Sequence, residues 1–168
     1  LDLQIARGEL FVLVGPNGAG KTTTLKSLTG LLKPSEGRIL IAGIDMAKEP
    51  ARAKNLIGFV PDIPYVYEKL TPRELFRFDG RLYGMEPSRI RSRAEELLHF
   101  FSLTHVEDVL IEEFSHGMRQ KAVLASALLH DPKLFILDEP MVGLDPASIK
   151  SFKDFLKHAA REGMTIVF

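Results

Sequence analysis

Gly15-Pro16-Asn17-Gly18-Ala19-Gly20-Lys21-Thr22 fits the pattern G-x-x-x-x-G-K-[ST], and its flanks decide how the rest of the chain is read. Before it, Leu10-Phe11-Val12-Leu13-Val14 is a short apolar run of strand type. After it, Leu25, Leu28, Leu31 and Leu32 recur at helical spacing, which predicts a helix from Lys21 to Leu32. A strand that breaks at glycines and re-enters as a helix aims successive backbone N–H groups and a helix N-terminus at one point. That point attracts anions. Gly15, Pro16, Asn17, Gly18, Ala19, Gly20, Lys21, Thr22 and Thr23 are therefore the expected nucleotide-binding residues. Lys21 adds a mobile positive charge for the terminal phosphates, and the Thr22 hydroxyl is placed to ligate Mg2+.

At 168 residues the chain suffices for one domain that buries about 70% of its unfolded surface. Lys plus Arg (22) equals Asp plus Glu (22), so nothing favours direct contact with nucleic acid or an anionic lipid surface. There is no cysteine, which excludes disulfides and cysteine metal sites. The histidines away from the motifs (His99, His105, His130, His158) are scattered and suggest no metal cluster. No apolar run approaches the 18 or so residues that cross a bilayer, so a role at a membrane must come through a partner.

Further along, residues 38–42 and 57–60 read as strands, the second closed by Pro61. Thr71-Pro72-Arg73-Glu74 is a capping box with proline at the first helical position. From Ser88 to Phe101, Ile90, Ala94, Leu97, Leu98 and Phe101 form the apolar face of a second helix, and Arg89, Arg91, Arg93, Glu95 and Glu96 its charged face. Ser115 precedes a third helix, expected from Gly117 to His130. Residues 133–137 are a continuous apolar strand of the kind buried on both faces. Asp145-Pro146 caps a helix to Arg161 with Gly163 as its terminator, and residues 165–168 begin one more strand. Alternating strands and helices predict an α/β fold with a mostly parallel sheet. The stretch from about 63 to 129 is nearly all helix and reads as an inserted α-helical subdomain of one domain spanning residues 1–168.

The apolar strand ends in Asp138-Glu139. Ligands of open α/β sheets bind beyond the strand C-termini, where the phosphate loop also lies. Asp138 is placed to hold Mg2+ through a water, and Glu139 to polarise the attacking water as general base. With Lys21, Glu139 is the expected catalytic residue. Ser115-His116-Gly117-Met118-Arg119-Gln120 offers an N-cap hydroxyl and free N–H groups at another helix start, a second anion cradle. One ATP does not need two.

At these residues the chain resembles the ATP-binding cassette (ABC) ATPases, the nucleotide-binding subunits of ABC transporters. Gly15–Thr22 is similar to their Walker A motif, residues 134–138 to Walker B, Glu139 to the catalytic glutamate, and Gly143-Leu144-Asp145 to the D-loop. Phe114 to Gln120 resembles the L-S-G-G-Q signature in an S-H-G-M-R-Q form. The resemblance covers essentially the whole chain in family order. It implies a phosphate-loop NTPase core with a small antiparallel β portion, ATP and Mg2+ as ligands, and a head-to-tail homodimer. With the signature residues Ser115, His116, Gly117 and Met118 acting in trans, Ser115 and Gly117 of one subunit would then close on the γ-phosphate held by Lys21 of the other. It further implies a transmembrane permease subunit that keeps the ATPase on the inner face of the membrane, with an exporter flavour. Tyr65, Val66 and Tyr67, in the apolar segment Ile63-Pro64-Tyr65-Val66-Tyr67-Glu68-Lys69-Leu70, are candidates for the permease contact; packing against the helical insertion is the competing reading.

Asp62 stands where the family commonly has a Q-loop glutamine, after Ile57-Gly58-Phe59-Val60-Pro61. A carboxylate binds Mg2+ more strongly than an amide, so Asp62 is expected to sense the metal and link it to the helical insertion; a structural turn aspartate is the alternative. His116 replaces the first signature glycine and is expected as a spacer facing solvent. The family's adenine-stacking aromatic would lie upstream of Leu1 and its switch histidine after Phe168, which reads as a fragment of a longer subunit. Two other readings remain: a non-transport ABC ATPase acting on ribosomes or DNA, and a regulatory module that binds ATP without turnover. Glu139 speaks against the last. On this reading the 168 residues alone hydrolyse ATP poorly, and robust steady-state phosphate release from them would overturn it.

Overall fold

The computed structural model describes residues 1–16, 18–63 and 65–168. Contacts divide these residues into two units. The first comprises Leu1–Phe59, Pro132–Asp138 and Lys153–Phe168, and the second Val60–Asp131 and Glu139–Phe152.

The first unit is organised by a four-stranded sheet in the order β1 (Leu10–Phe11), β6 (Thr165–Val167), β5 (Leu134–Leu137), β4 (Ile57–Val60). β1 and β5 both pair with β6 in parallel, Leu10 opposite Ile166 and Phe135 opposite the same residue. The expected strand 10–14 is shorter as a ladder, although Leu13 N–H still donates to the Phe168 carbonyl at 2.6 Å. Phe135, Ile136 and Leu137 are fully buried, as a central parallel strand requires. Helix α1 (Lys21–Leu28) stops four residues before the expected end. Gly30 adopts φ 69°, its N–H donates to Ser27 O (3.0 Å), and Leu31 N–H donates to Lys26 O (2.9 Å). This is a complete Schellman stop, and it leaves Leu31 and Leu32 exposed. The strand expected at 38–42 is half of a hairpin, β2 (Leu40–Ile41) with β3 (Ile44–Asp45), antiparallel around Ala42-Gly43. Both turn residues have positive φ (48° and 81°), the geometry of a two-residue primed turn. A short helix α2 (Pro50–Lys54) precedes β4. Leu25, Ile41, Met46, Ala53, Ile57, Ile136 and Val167 form the buried core of this unit.

The second unit is helical. In α3 (Pro72–Leu82) both halves of the capping box form: Thr71 Oγ1 accepts from Glu74 N–H (3.2 Å) and Glu74 Oε2 from Thr71 N–H (3.0 Å). Helix α4 (Pro87–Phe100) buries Ile90, Ala94, Leu97 and Leu98, the face its spacing predicts. Helix α5 (His116–Leu128) packs on α3 and α4 and buries Ala122, Val123, Leu124, Ala125 and Leu128. The Ser126 hydroxyl donates to Asp79 across α3 and α5, and the Tyr83 ring stacks on His130 at 3.6 Å. Helix α6 (Pro146–Arg161) begins in this unit and ends in the first.

Removing the Thr71 hydroxyl by Thr71→Ala breaks the capping box and should cost about 1 kcal/mol, read as a lower denaturant midpoint with an unchanged slope. Burial raises the Asp79 carboxyl above its ordinary value, and the Ser126 hydrogen bond only partly opposes this. An acid with a raised folded-state pKa contributes stability that is full below the ordinary value of about 3.9 and is lost as pH rises through the raised value. Asp79→Asn keeps an acceptor for Ser126 and loses that dependence. It should therefore gain stability over the parent between pH 4 and pH 7 in denaturant titrations; a pH-independent difference would contradict the burial argument.

Candidate functional site

In the first unit the phosphate loop leaves the sheet after β1 and enters α1. Gly18 (φ 83°) and Gly20 (φ 89°) are left-handed, and a Cβ on either would meet no atom within 4 Å. Glycine is required there by backbone conformation, with open space above it. Gly20 is the N-cap of α1 and supplies no side-chain cap, so the first-turn N–H groups of Lys21, Thr22 and Thr23 stay available to an outside acceptor. The Lys21 ammonium folds over the loop and donates to the carbonyls of Gly15 (2.6 Å) and Pro16 (3.0 Å). Ala19 N–H donates to Pro16 O (3.2 Å) and closes the turn. Thr22 is half-buried and Thr23 exposed. Asn17, expected in the cradle, lies outside the described residues.

Asp138 sits at the C-terminal end of β5, 8% exposed, and its Oδ2 is a buried oxygen without a hydrogen-bond partner among the described residues. An orphaned carboxylate oxygen costs about 1–3 kcal/mol or more unless a water or cation satisfies it. Mg2+, a hard ion that takes oxygen ligands and keeps waters, suits such a donor. No group of three or more His, Asp or Glu side chains suited to a metal occurs among the described residues.

The second unit carries the remaining residues. Glu139 is exposed and left-handed (φ 50°), a conformation that costs a non-glycine residue about 1–3 kcal/mol. It opens a loop, residues 139–145, that runs to the start of α6. Ser115 caps α5 by accepting from Met118 N–H (3.3 Å); Ser115 and His116 are exposed, Gly117 and Met118 half-buried. The start of α5 lies directly against the loop. A Cβ on Gly117 would sit 2.6 Å from the Gly143 carbonyl oxygen, and one on Gly143 would run into the His116 ring. His116 thus covers Gly143 rather than only spacing the motif. Lys121 Nζ approaches Asp145 Oδ2 at 3.2 Å. Asp145 also caps α6 through Ser148 N–H (2.9 Å) and its hydroxyl (2.5 Å). The Ser148 hydroxyl, then its N–H, then Lys121 hold the Asp145 carboxyl far below the usual carboxylate range.

Two contacts of this site have no counterpart among the sequence expectations. Gln120 is 2% exposed and donates from Nε2 to the Pro140 carbonyl at 3.2 Å; Lys121 makes the ion pair just described. Asp62 is exposed in the bend after β4. Tyr65 is 80% exposed, whereas Tyr67 lies edge-on to Phe78 of α3 at 5.2 Å, so the segment divides between free surface and packing. Pro64 lies outside the described residues.

A left-handed glycine loop that opens a helix under a lysine, with a buried carboxylate at the end of a strand in the same sheet, defines a phosphate-loop nucleotide-binding domain. Residues 1–142 match the family model described as ABC transporter, and the chain belongs to that family. It is 40% identical to the ABC transporter ATP-binding protein NatA of Bacillus subtilis, over all of this chain and 69% of that protein. It is 39% identical to the linearmycin resistance ATP-binding protein LnrL of Bacillus subtilis, over all of this chain and 54% of that one. The fold also superposes, with a TM-score of 0.88 and 28% identity over 98% of this chain and 75% of the other, on a dimeric post-hydrolysis state of the ATP-binding cassette MJ0796 bound to ADP and Pi. The chain spans about half the length of several relatives it matches. No helix among the described residues is long and apolar enough to cross a membrane.

Proposed function

We propose that this chain is the ATP-binding and ATP-hydrolysing part of an ABC exporter, which pairs head-to-tail around two ATP and drives a separate transmembrane subunit. The change of environment at the end of β5 carries this reading: one carboxylate is buried with an orphaned oxygen, and the next is held exposed in a left-handed conformation. Consecutive residues thereby receive different work. Asp138 and Thr22 hold Mg2+, which offsets charge on the transferred phosphoryl group. Glu139 accepts the proton of the attacking water. The glycine loop supplies N–H groups to the phosphates, and Lys21 exchanges two neutral carbonyls for phosphate oxygens, which bind an ammonium more strongly. Ser115 and the α5 N-terminus serve the γ-phosphate of a second copy, because the chain's own phosphates already have a helix start. The dimeric relative bound to ADP and Pi supports the pairing, and the resistance function named for LnrL supports export. On the same reading Asp62, exposed after β4, senses the metal, and the segment of Tyr65, Val66 and Tyr67 meets the membrane subunit through its exposed part.

In the full-length protein, Glu139→Gln should lower ATP turnover about 10²- to 10⁴-fold while nucleotide binding persists. Equal turnover by parent and variant would remove Glu139 from the chemistry, and no turnover by either would favour a regulatory ATP-binding module. Head-to-tail pairing predicts complementation. Lys21→Ala and Ser115→Arg subunits, each inactive alone, should regain activity when mixed, since one of the two shared sites then has both halves intact. Mixtures that stay inactive would rule out sharing in trans.

A further inference from the structure

The start of α5 is fastened along the loop that begins with Glu139. Gln120 donates to the Pro140 carbonyl (3.2 Å), Gly117 lets the Gly143 carbonyl approach to a distance no side chain would allow, and Lys121 holds Asp145 (3.2 Å). The loop needs such a frame. Glu139 is left-handed, a state it would leave at a gain of about 1–3 kcal/mol if unrestrained. Pro140 is buried, and its carbonyl must be satisfied by a donor. Gln120 supplies that donor from one of only three buried polar residues among those described. A glutamine 2% exposed has no access to a nucleotide on a neighbouring molecule, although it stands in the signature segment.

We propose that Gln120 is a positioning residue for the general base: its carboxamide, bound to the carbonyl that follows Glu139, fixes where the Glu139 carboxylate points, with Lys121 anchoring the far end of the same loop. This rests on the reading of Glu139 as base. On this proposal α5 carries a capping serine at its start, Ser115, and in its second turn a side chain that frames the loop of Glu139.

The test compares full-length parent, Gln120→Met, Glu139→Gln and the double variant, measuring ATP affinity, ATP-dependent dimerisation and steady-state kinetics. Met keeps length and burial and has no donor. The proposal expects kcat to fall about 10- to 100-fold in Gln120→Met with KM for ATP and dimerisation unchanged, the signature of a base displaced by a fraction of an ångström. It expects no further loss when Gln120→Met is added to Glu139→Gln, because the effect passes through Glu139. Normal kcat in Gln120→Met beside an inactive Glu139→Gln overturns the positioning role alone. A further loss in the double variant, or a matching loss of ATP affinity, shows a merely structural role and also overturns it. Full activity in Glu139→Gln overturns the base assignment and this proposal with it. Should Gln120→Met fail to fold, Lys121→Met takes its place: reduced kcat at constant KM supports the frame, and parental kcat overturns it.

Discussion

Complete burial of Phe135, Ile136 and Leu137 between β6 and β4 fixes where the carboxylates that follow them can go. A parallel strand in that position has no solvent on either face, so the first polar residue after it emerges at the sheet's edge still largely shielded. Asp138 occupies this point and keeps an oxygen without a hydrogen-bond partner among the described residues, a desolvation that a water or cation would relieve. One residue later the backbone turns left-handed and Glu139 reaches solvent. The apolar strand thus enforces the difference between a buried and an exposed carboxylate, which no property of Asp or Glu alone would create.

The two helix starts solve one electrostatic problem in different ways. α1 opens on a glycine that supplies no side-chain cap, so its first N–H groups are left to an outside acceptor, and Lys21 folds over the same loop. α5 opens on a serine that already accepts from Met118 N–H, at a long 3.3 Å. An anion arriving there would have to share or displace that contact, whereas one arriving at α1 would not. Formal charge is balanced over the chain, so no net charge adds to the attraction at either start.

How much of this was legible depended on whether the signal was local. The capping box at Thr71, the face of α4 and the apolar run of β5 each carry their information within one element, and each appears where the residues place it. The β2–β3 hairpin was hidden because Ala42 takes a left-handed turn position that normally advertises itself with Asn or Gly. Leu31 and Leu32 continued the spacing of α1 by coincidence, while Gly30 ended the helix. At the site, the motif residues could be read from pattern. Gln120 could not. A glutamine on a helix reads as a solvated residue, and only the approach of Pro140, twenty residues away, shows it to be buried and bonded.

Glycine in the signature segment has a physical explanation independent of any ligand. Gly117 meets the Gly143 carbonyl where a methyl group would collide with backbone, and backbone, unlike a flexible side chain, cannot swing aside. Gly143 in turn has positive φ beneath the His116 ring, so the contact demands a residue without Cβ on both sides. Two glycines seal helix to loop, and Lys121 and Gln120 pin the seal at either end. A histidine at position 116 is compatible with this because its ring lies over a residue with no side chain. Its imidazole fills space that a glycine there would leave open, adding to the contact that keeps the loop of Glu139 in register with α5.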